Sequence, residues 1–573
     1  MRLVEGRRLT GPNHLARGPL VVVEVALEAA ERVPFEAAFL REVARMRVAV
    51  GLDPDVQLLV RPHRGGAVFA YPAPRDLMLA CVEISEWAAA SASETLAGRP
   101  ETALEPKRTE IADMIARDRN PALLALEAEA RHRGVPFLWD DETVSLGHGV
   151  RSVPYPTAAL PAVDAVTWDT LGSVPIALVT GTNGKTTSSR LLASVAREAG
   201  FVVGSTSTDG VMVGGELVER GDWTGPIAAR RVLREDRVEL AVLETARGGI
   251  LRRGLATDSC DVALITNIAA DHLGDYGIDD LPAMALAKGV AAQAVRPDGT
   301  VVLNARDLHL VALAPNVDAK VVFFADLEVE EHREDTYARI GAHLAAGGTA
   351  VIAREGSVRI ATGPRGEATA TERELVRLVD VPITFEAAAR YNVENVLGVV
   401  AAAGALGFPD DAIVRALRGF QMDDNPGRGQ LLDRAGVKVL LDFGHNPHGV
   451  RAVLQLVRTL HAQSGGRLFF LAASPGDRSD ADIEAVVHEI AAMKPYRLIA
   501  RELTGYLRGR DPGVVPAIYQ RVFGELGFAP EVYEFAGSEV ASLERAFELA
   551  EPGDVVVLLV HMDQAAVREL LRG

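Results

Sequence analysis

The sequence predicts an α/β protein of three units. These are an N-terminal α/β unit over residues 1–165, a central unit with a mainly parallel sheet around a phosphate loop over 171–425, and a C-terminal Rossmann-like unit over 426–573. Three observations carry this. Apolar runs of strand length alternate with helical patterns from residue 176 onward. A glycine-rich loop at 181–187 sits between one such run and an amphipathic stretch. The turn cluster Asp424-Asn-Pro-Gly-Arg428 interrupts the alternation, which then restarts.

In the N-terminal unit, 20–26 reads as a strand, 35–50 and 121–133 as helices, and 135–139 as a short strand. The three prolines between 154 and 169 mark a linker. Central strands are expected at 176–179, 240–244, 262–266 and 301–303. After the turn cluster come strands at 437–442, 468–472, 497–500 and 555–560, with helices from about 448, at 481–493 and at 513–526. In parallel sheets of this kind, ligands bind at the carboxyl ends of the strands.

Bulk properties exclude several function classes. The 573 residues carry 48% hydrophobic and 24% charged residues and a formal net charge of −18. That balance argues against nucleic-acid binding, which needs a clustered basic surface. No apolar run is long enough to span a bilayer, and the N-terminus lacks the apolar region of a signal peptide. Cys81 and Cys260 lack metal-ligand spacing and read as buried free thiols. A cytoplasmic protein is expected. Only six of the 60 basic residues are lysines: Lys107, Lys185, Lys288, Lys320, Lys438 and Lys494. In a chain that so prefers arginine, a retained lysine points to a compact charge or a reactive amine.

The loop Thr180-Gly-Thr-Asn-Gly-Lys-Thr-Thr187 is the strongest local signal. Gly181 and Gly184 let the backbone turn its N–H groups around an anion, with Thr182 and Asn183 between them. The helix that follows adds its N-terminal partial charge. Lys185 is placed to reach the outer phosphates of ATP, and Thr186, with Thr187 beside it, to ligate Mg2+. Val179 stands where the longer form of the motif has its first glycine, so this is the short form. Glu244 ends a strand, where a carboxylate completes a hard-oxygen metal site with Thr186. Asp442 ends a strand in the third unit, the usual place for an acid that bonds a ribose hydroxyl.

This short loop resembles that of the Mur ligase superfamily. Further runs are similar to the Mur-type half of cyanophycin synthetases: Gly221-Asp-Trp-Thr-Gly-Pro226, Leu243-Glu-Thr-Ala-Arg-Gly-Gly-Ile-Leu-Arg-Arg-Gly254, Thr266-Asn-Ile-Ala-Ala-Asp-His-Leu-Gly274, Asn425-Pro-Gly-Arg428, Gly476-Asp-Arg478 and Leu507-Arg-Gly-Arg510. Leu9-Thr-Gly-Pro-Asn13, Arg133-Gly-Val-Pro136 and Leu146-Gly-His-Gly149 resemble the N-terminal domain of that family. Those enzymes carry an ATP-grasp domain between the two parts, and here the linker after Gly149 runs almost directly into the phosphate loop.

The resemblance implies an ATP- and Mg2+-dependent ligase that activates a carboxylate as an acyl-phosphate and joins it to an amine. It implies that His272 binds a second Mg2+, with Asp271 orienting its ring or lying near the metal. Lys288 is then either carbamylated beside that metal or a plain cation facing the phosphates. Asn392 matches a nucleotide-contacting position, with Tyr391 where relatives often have His or Phe. Arg428 and His445 join Asp442 around ATP, and a hinge is expected near 425. Loops of the third unit, with Arg478 and Arg508, are expected to bind the incoming amino acid. The acceptor is a carboxylate of an acidic amino acid, peptide or related compound. A separate ATP-grasp ligase is a candidate partner, and the resemblance suggests a homo-oligomer. The competing reading is a non-catalytic nucleotide-binding subunit of another ligase. A folylpolyglutamate-type ligase fits the 243–254 run poorly.

Overall fold

The computed structural model describes residues 1–573 except 101, 222, 365–368 and 573. Asp222, in one of the motifs above, lies outside the described residues. The main body is an eleven-stranded sheet. Its centre is parallel, with neighbours Val203–Ser207, Leu240–Glu244, Ile176–Thr180, Cys260–Ile265, Val295–Asn304, Lys320–Asp326 and Thr349–Arg354. These strands are buried and rich in Val, Ile, Leu and Ala, as a sheet covered on both faces requires. Helices Lys185–Glu198, Arg390–Ala405 and Asp410–Gly419 cover one face; Pro226–Leu233, Arg247–Arg253 and Leu281–Gln293 cover the other. Each fully buried Leu, Ile or Val contributes about 1.5–3 kcal/mol. Both ends of the sheet turn antiparallel, through Gly210–Val213 and Glu216–Arg220 at one edge and Ser357–Thr362 and Thr371–Arg377 at the other. The sequence pattern did not reveal these edges, whose outermost strands, Glu216–Arg220 and Thr371–Arg377, are exposed and polar and lack a clear apolar period.

The last quarter forms a six-stranded sheet in the order Gln430–Arg434, Val437–Asp442, Val555–Leu559, Leu468–Ala472, Arg497–Arg501, Tyr533–Ala536. All neighbours but the first pair are parallel. The first 156 residues differ. Arg2–Leu9, Leu20–Ala26, Gly66–Pro72 and Leu59–His63 make an antiparallel sheet backed by helices Arg32–Ala49 and Met78–Leu96. Cys81 and Cys260 are free and buried.

The expected linker at 154–169 is ordered structure. Val153–Pro156 is a strand paired with Thr143–Leu146, and short 3-10 turns follow. Trp168 and Leu171 pack onto Leu126 and Leu146, and the Trp168 indole donates to the Val163 carbonyl at 2.9 Å. The prolines shape turns there, and the apolar side chains between them supply the anchor.

Two of the quoted motifs meet where the first unit docks on the second. Thr10 N donates to Arg253 O at 2.7 Å, and Leu255 N donates to Pro12 O at 2.8 Å. A Cβ on Gly11 would lie 2.0 Å from Leu255 O, so only glycine allows this approach. The Arg7 guanidinium stacks 5.0 Å from the Tyr276 ring, and Val150 N donates to Val238 O. Among the described residues no helix is long and apolar enough to cross a membrane.

Candidate active site

A cavity of about 1240 Å³ opens at the carboxyl ends of the strands of both parallel sheets. Thr182 to Thr187, Glu244, His272, Lys288, Arg428, Asp442, His445, Arg478 and Arg508 all line it. Residues spread over more than three hundred positions in sequence thus share one space.

The phosphate loop is braced from behind by the loop after the next strand. Thr182 N donates to Asn267 O, Asn183 N donates to the Asn267 side-chain oxygen, and the Thr266 hydroxyl donates to Asn183 O. Gly181 has φ 146°, and a Cβ there would meet Thr266 Oγ1 at 1.9 Å. Gly184 has φ 83° and faces Asn395 Oδ1 with the same lack of room. Both glycines are steric requirements. The helix starts at Lys185, directly after Gly184.

Glu244 is buried at the end of its strand. Its Oε1 accepts from Thr186 Oγ1 at 3.2 Å, and its Oε2 is buried without a partner among the described residues. Burial pushes its carboxyl up, against the pull of Lys185, Arg428 and the Thr186 hydroxyl. An orphaned carboxylate oxygen beside a hydroxyl fits a divalent cation. Among the described residues no three His, Cys, Asp or Glu side chains converge on a metal. The protein therefore offers few ligands, the pattern suited to an ion that also binds phosphate oxygens and water.

Lys288 is buried, and its Nζ donates to Gly181 O at 2.9 Å, directly behind the phosphate loop. Burial, and then the charge of Lys185, push its amine well below the usual range. His272 has φ 53°, a strained conformation for a residue with a Cβ. Arg247 holds it there by donating to the His272 carbonyl and to Asp275. Arg247 comes from the 243–254 motif, which explains an arginine so soon after Glu244. The His272 ring lies 3.4 Å from Asp275 and 3.7 Å from Asp477.

Two expectations are corrected. Asn392 does not line the cavity: its amide donates to Ile383 O at 2.8 Å and accepts from Asn395. One helical turn on, Asn395 lines the cavity behind Gly184, and Tyr391 lines it too. Spacing in sequence picked out this helix but not that the segment before it, at Ile383, takes up the Asn392 amide. Asp271, for its part, does not orient His272. It reaches across to the C-terminal sheet, with Oδ1 3.2 Å from Arg478 and Oδ2 3.8 Å from His445.

The C-terminal sheet supplies the opposite wall. Asp442 accepts from the N–H groups of Gly444 and Gly429, both at 2.8 Å, and burial raises its carboxyl to about 6 despite Arg428. Arg428 stacks 3.9 Å from the Phe443 ring and donates to Thr208 Oγ1. The turn before it is pinned to the phosphate-loop helix: Asn425 donates to Thr187 Oγ1 and accepts from Arg190. Asn446 caps its own helix and bonds Asn183. Arg478 is buried, with Nε and one terminal nitrogen unpartnered among the described residues. Arg508 is half-exposed, pairs with Asp477 and covers the rim; Arg510 braces the Arg478 carbonyl. Thr208, Arg247, Asn395 and His561 are lining residues that spacing did not single out.

Residues 179–403 match the Mur ligase middle domain, and residues 427–559 the Mur ligase glutamate ligase domain. The cyanophycin synthetase of Geminocystis herdmanii is 38% identical over 404 residues, which cover 70% of this chain and 44% of that protein. The UDP-N-acetylmuramoyl-L-alanyl-D-glutamate–2,6-diaminopimelate ligase of Geobacter metallireducens is 26% identical over 405 residues, 67% of this chain and 73% of that one. The solved bifunctional folylpolyglutamate synthase/dihydrofolate synthase of Yersinia pestis has a TM-score of 0.49 at 17% identity, covering 70% of this chain and 89% of that one. The chain spans less than half the length of the cyanophycin synthetases it matches. In this order, around one shared cavity, the chain carries the Mur ligase middle domain and the Mur ligase glutamate ligase domain.

Proposed function

We propose that the protein is an ATP-dependent ligase that activates a carboxylate as an acyl-phosphate and joins it to the amine of an amino acid. The observation that carries this is the single cavity holding both a phosphate loop and the free guanidinium edge of Arg478. An ATPase alone has no use for the second. The names of the relatives support the same class: one is by title a synthetase and another a ligase of an L-alanyl-D-glutamate compound with 2,6-diaminopimelate.

In this reading the phosphate-loop amides and Lys185 hold the nucleotide, and Asn395 and Asp442 contact its base and ribose. Thr186 and Glu244 would hold Mg2+, which supplies charge neutralisation between the carboxylate and the γ-phosphate. His272 and Lys288 would support a second ion. Arg478 grips the incoming α-carboxylate in a fork, displacing Asp271. Arg508 closes the rim. The ties from Asn425 and Asn446 to the phosphate-loop segment hold the two sheets together and exclude water, which matters because acyl-phosphates hydrolyse. The protein would act in the cytosol, on an acidic amino acid or peptide, either alone or on the product of a separate ATP-grasp ligase.

The test is mass spectrometry of products from the purified chain with ATP, Mg2+ and pooled amino acids and acidic peptides, with ADP and phosphate release in parallel. A new amide and acceptor-stimulated ADP release are expected. A folded, ATP-binding preparation that shows neither with any pair contradicts the proposal.

A further inference from the structure

The attacking amine of an amino acid is an ammonium near neutral pH, and it must lose a proton before it can attack. We infer that His561 is the group that takes this proton, an inference that rests on the ligase reading above.

Its place in the sheet is the first reason. His561 follows strand Val555–Leu559, which lies between Val437–Asp442 and Leu468–Ala472 and is parallel to both. The loop after the first neighbour carries Asp442 and His445, and the loop after the second carries Arg478. Adjacent strands lie about 4.8 Å apart. His561 therefore sits at the middle of three loops, between the side that holds the nucleotide and the side that holds the amino acid.

The second reason is its hydrogen bonding. His561 lines the cavity, its side chain is 2% exposed, and neither ring nitrogen makes a hydrogen bond of ordinary geometry among the described residues, the Gly444 backbone giving only a weak contact. A buried imidazole with both nitrogens open is costly unless something else uses it. His445, on the neighbouring strand's loop, differs: one ring nitrogen is bonded to the Phe443 carbonyl at 3.2 Å, and the other lies 3.8 Å from Asp271. Glu539 fixes the loop by accepting from the N–H groups of His561, Met562 and Asp563, and its Oε1 lies 4.0 Å from the His561 ring. Phe443 packs against the ring at 5.2 Å. The ring is held in place in the cavity wall, and its two nitrogens are buried there without a hydrogen bond of ordinary geometry among the described residues.

Charge around the ring suits the task. Burial, then Arg501, His445 and Arg428, hold the imidazole well below its usual range, so it is neutral and able to accept. Arg501 is paired with Glu539. An acyl-phosphate and an amino-acid carboxylate in the cavity are anions, and they raise its basicity when both are present. The ammonium then gives one proton to His561. The freed lone pair forms the C–N bond, the C–O bond to phosphate breaks, and its electron pair leaves with the phosphate. The second nitrogen proton goes to the departing phosphate, and His561 returns its own to water on opening.

Hydroxylamine separates the two steps, because it is already uncharged at neutral pH and traps acyl-phosphates as hydroxamates. With ATP, Mg2+ and pooled aspartyl and glutamyl dipeptides, the wild type is expected to give hydroxamate with hydroxylamine and amide with pooled amino acids. His561→Gln is expected to lose amide formation ~100-fold, the lower range for a lost general base, while hydroxamate falls less than about threefold. Imidazole added to His561→Ala is expected to restore part of the amide rate. Equal loss of both products, or an unchanged amide rate, overturns the role of His561. A wild type that gives no hydroxamate with any acceptor overturns the ligase reading and this inference together.

Discussion

Asp271 Oδ1 lies 3.2 Å from Arg478, a carboxylate of one sheet holding the guanidinium of the other. Burial alone would push the Asp271 carboxyl up, but nearby His445 and the charge of Arg478 hold it well below the usual range. Asp271 thus occupies the arginine that the incoming carboxylate needs. Asp271→Asn is expected to loosen the two sheets and to raise hydrogen exchange in the loops around 271 and 478. A depressed carboxyl stabilises above its unfolded value and loses that effect as pH falls. The wild-type clasp therefore persists through pH 5 and weakens only in strong acid, a profile the Asn variant lacks.

Removing the Glu244 charge separates metal binding from stability. Glu244→Gln is expected to raise the Mg2+ needed for ATP turnover by ~10- to 100-fold. In EDTA the same variant is expected to melt at or above the wild-type temperature, since a buried carboxylate with one oxygen unpartnered among the described residues destabilises. Magnesium titration and thermal melts check both. The raised carboxyl gives the same sign: without metal, this group's contribution improves as pH falls toward its unfolded value.

Lys288 is buried as a readily neutral amine behind the phosphate loop, which is the form that reacts with carbon dioxide. Lys288→Arg is expected to lose turnover about as fully as Lys288→Ala, roughly 100-fold or more, because a guanidinium forms no carbamate. Labelled bicarbonate is expected to give a carbamate carbon signal in the wild type and none in either variant.

Asp442 titrates near 6, raised by burial, so its charge is present at pH 7 and absent at pH 5. A charged acceptor bonds a hydroxyl more strongly. ATP affinity is expected to weaken as pH drops through 6. Asp442→Asn is expected to raise the KM for ATP by ~10-fold, about the 1.4 kcal/mol of one such bond, and to flatten that pH dependence. Its effect on stability has the opposite sign, with the folded state gaining as pH falls from 7.

Gly11 sets how the first unit meets the helix that carries Arg247. Gly11→Ala places a methyl on Leu255 O and is expected to cost about 1–3 kcal/mol. Lower melting temperature and faster hydrogen exchange in Arg247–Arg253 check it. Because Arg247 holds the His272 carbonyl, turnover is expected to fall although Gly11 lines no part of the cavity.

Local rules carried much of this protein. The strands 240–244, 437–442 and 468–472 were legible to the residue because buried parallel strands are continuous apolar runs. The phosphate loop was legible because its glycines answer to local backbone geometry. Glu244 and Asp442 were legible because an acid at the end of a buried strand is unusual in any context. What the sequence left open depended on distance. Asn392 and Asn395 sit one turn apart, and only the fold shows that Ile383 and Asn395 consume the first amide. Asp271 faces Arg478 rather than His272 because two sheets meet there, a relation no spacing encodes. His561 follows a strand like many others, and it gains meaning only from lying between the loops of two neighbours far from it in sequence. Backbone conformation is fixed within a few residues, whereas side-chain partners are fixed by packing across the whole chain. The sequence by itself therefore determined the elements and the phosphate loop, and the tertiary structure decided which groups face one another across the cavity.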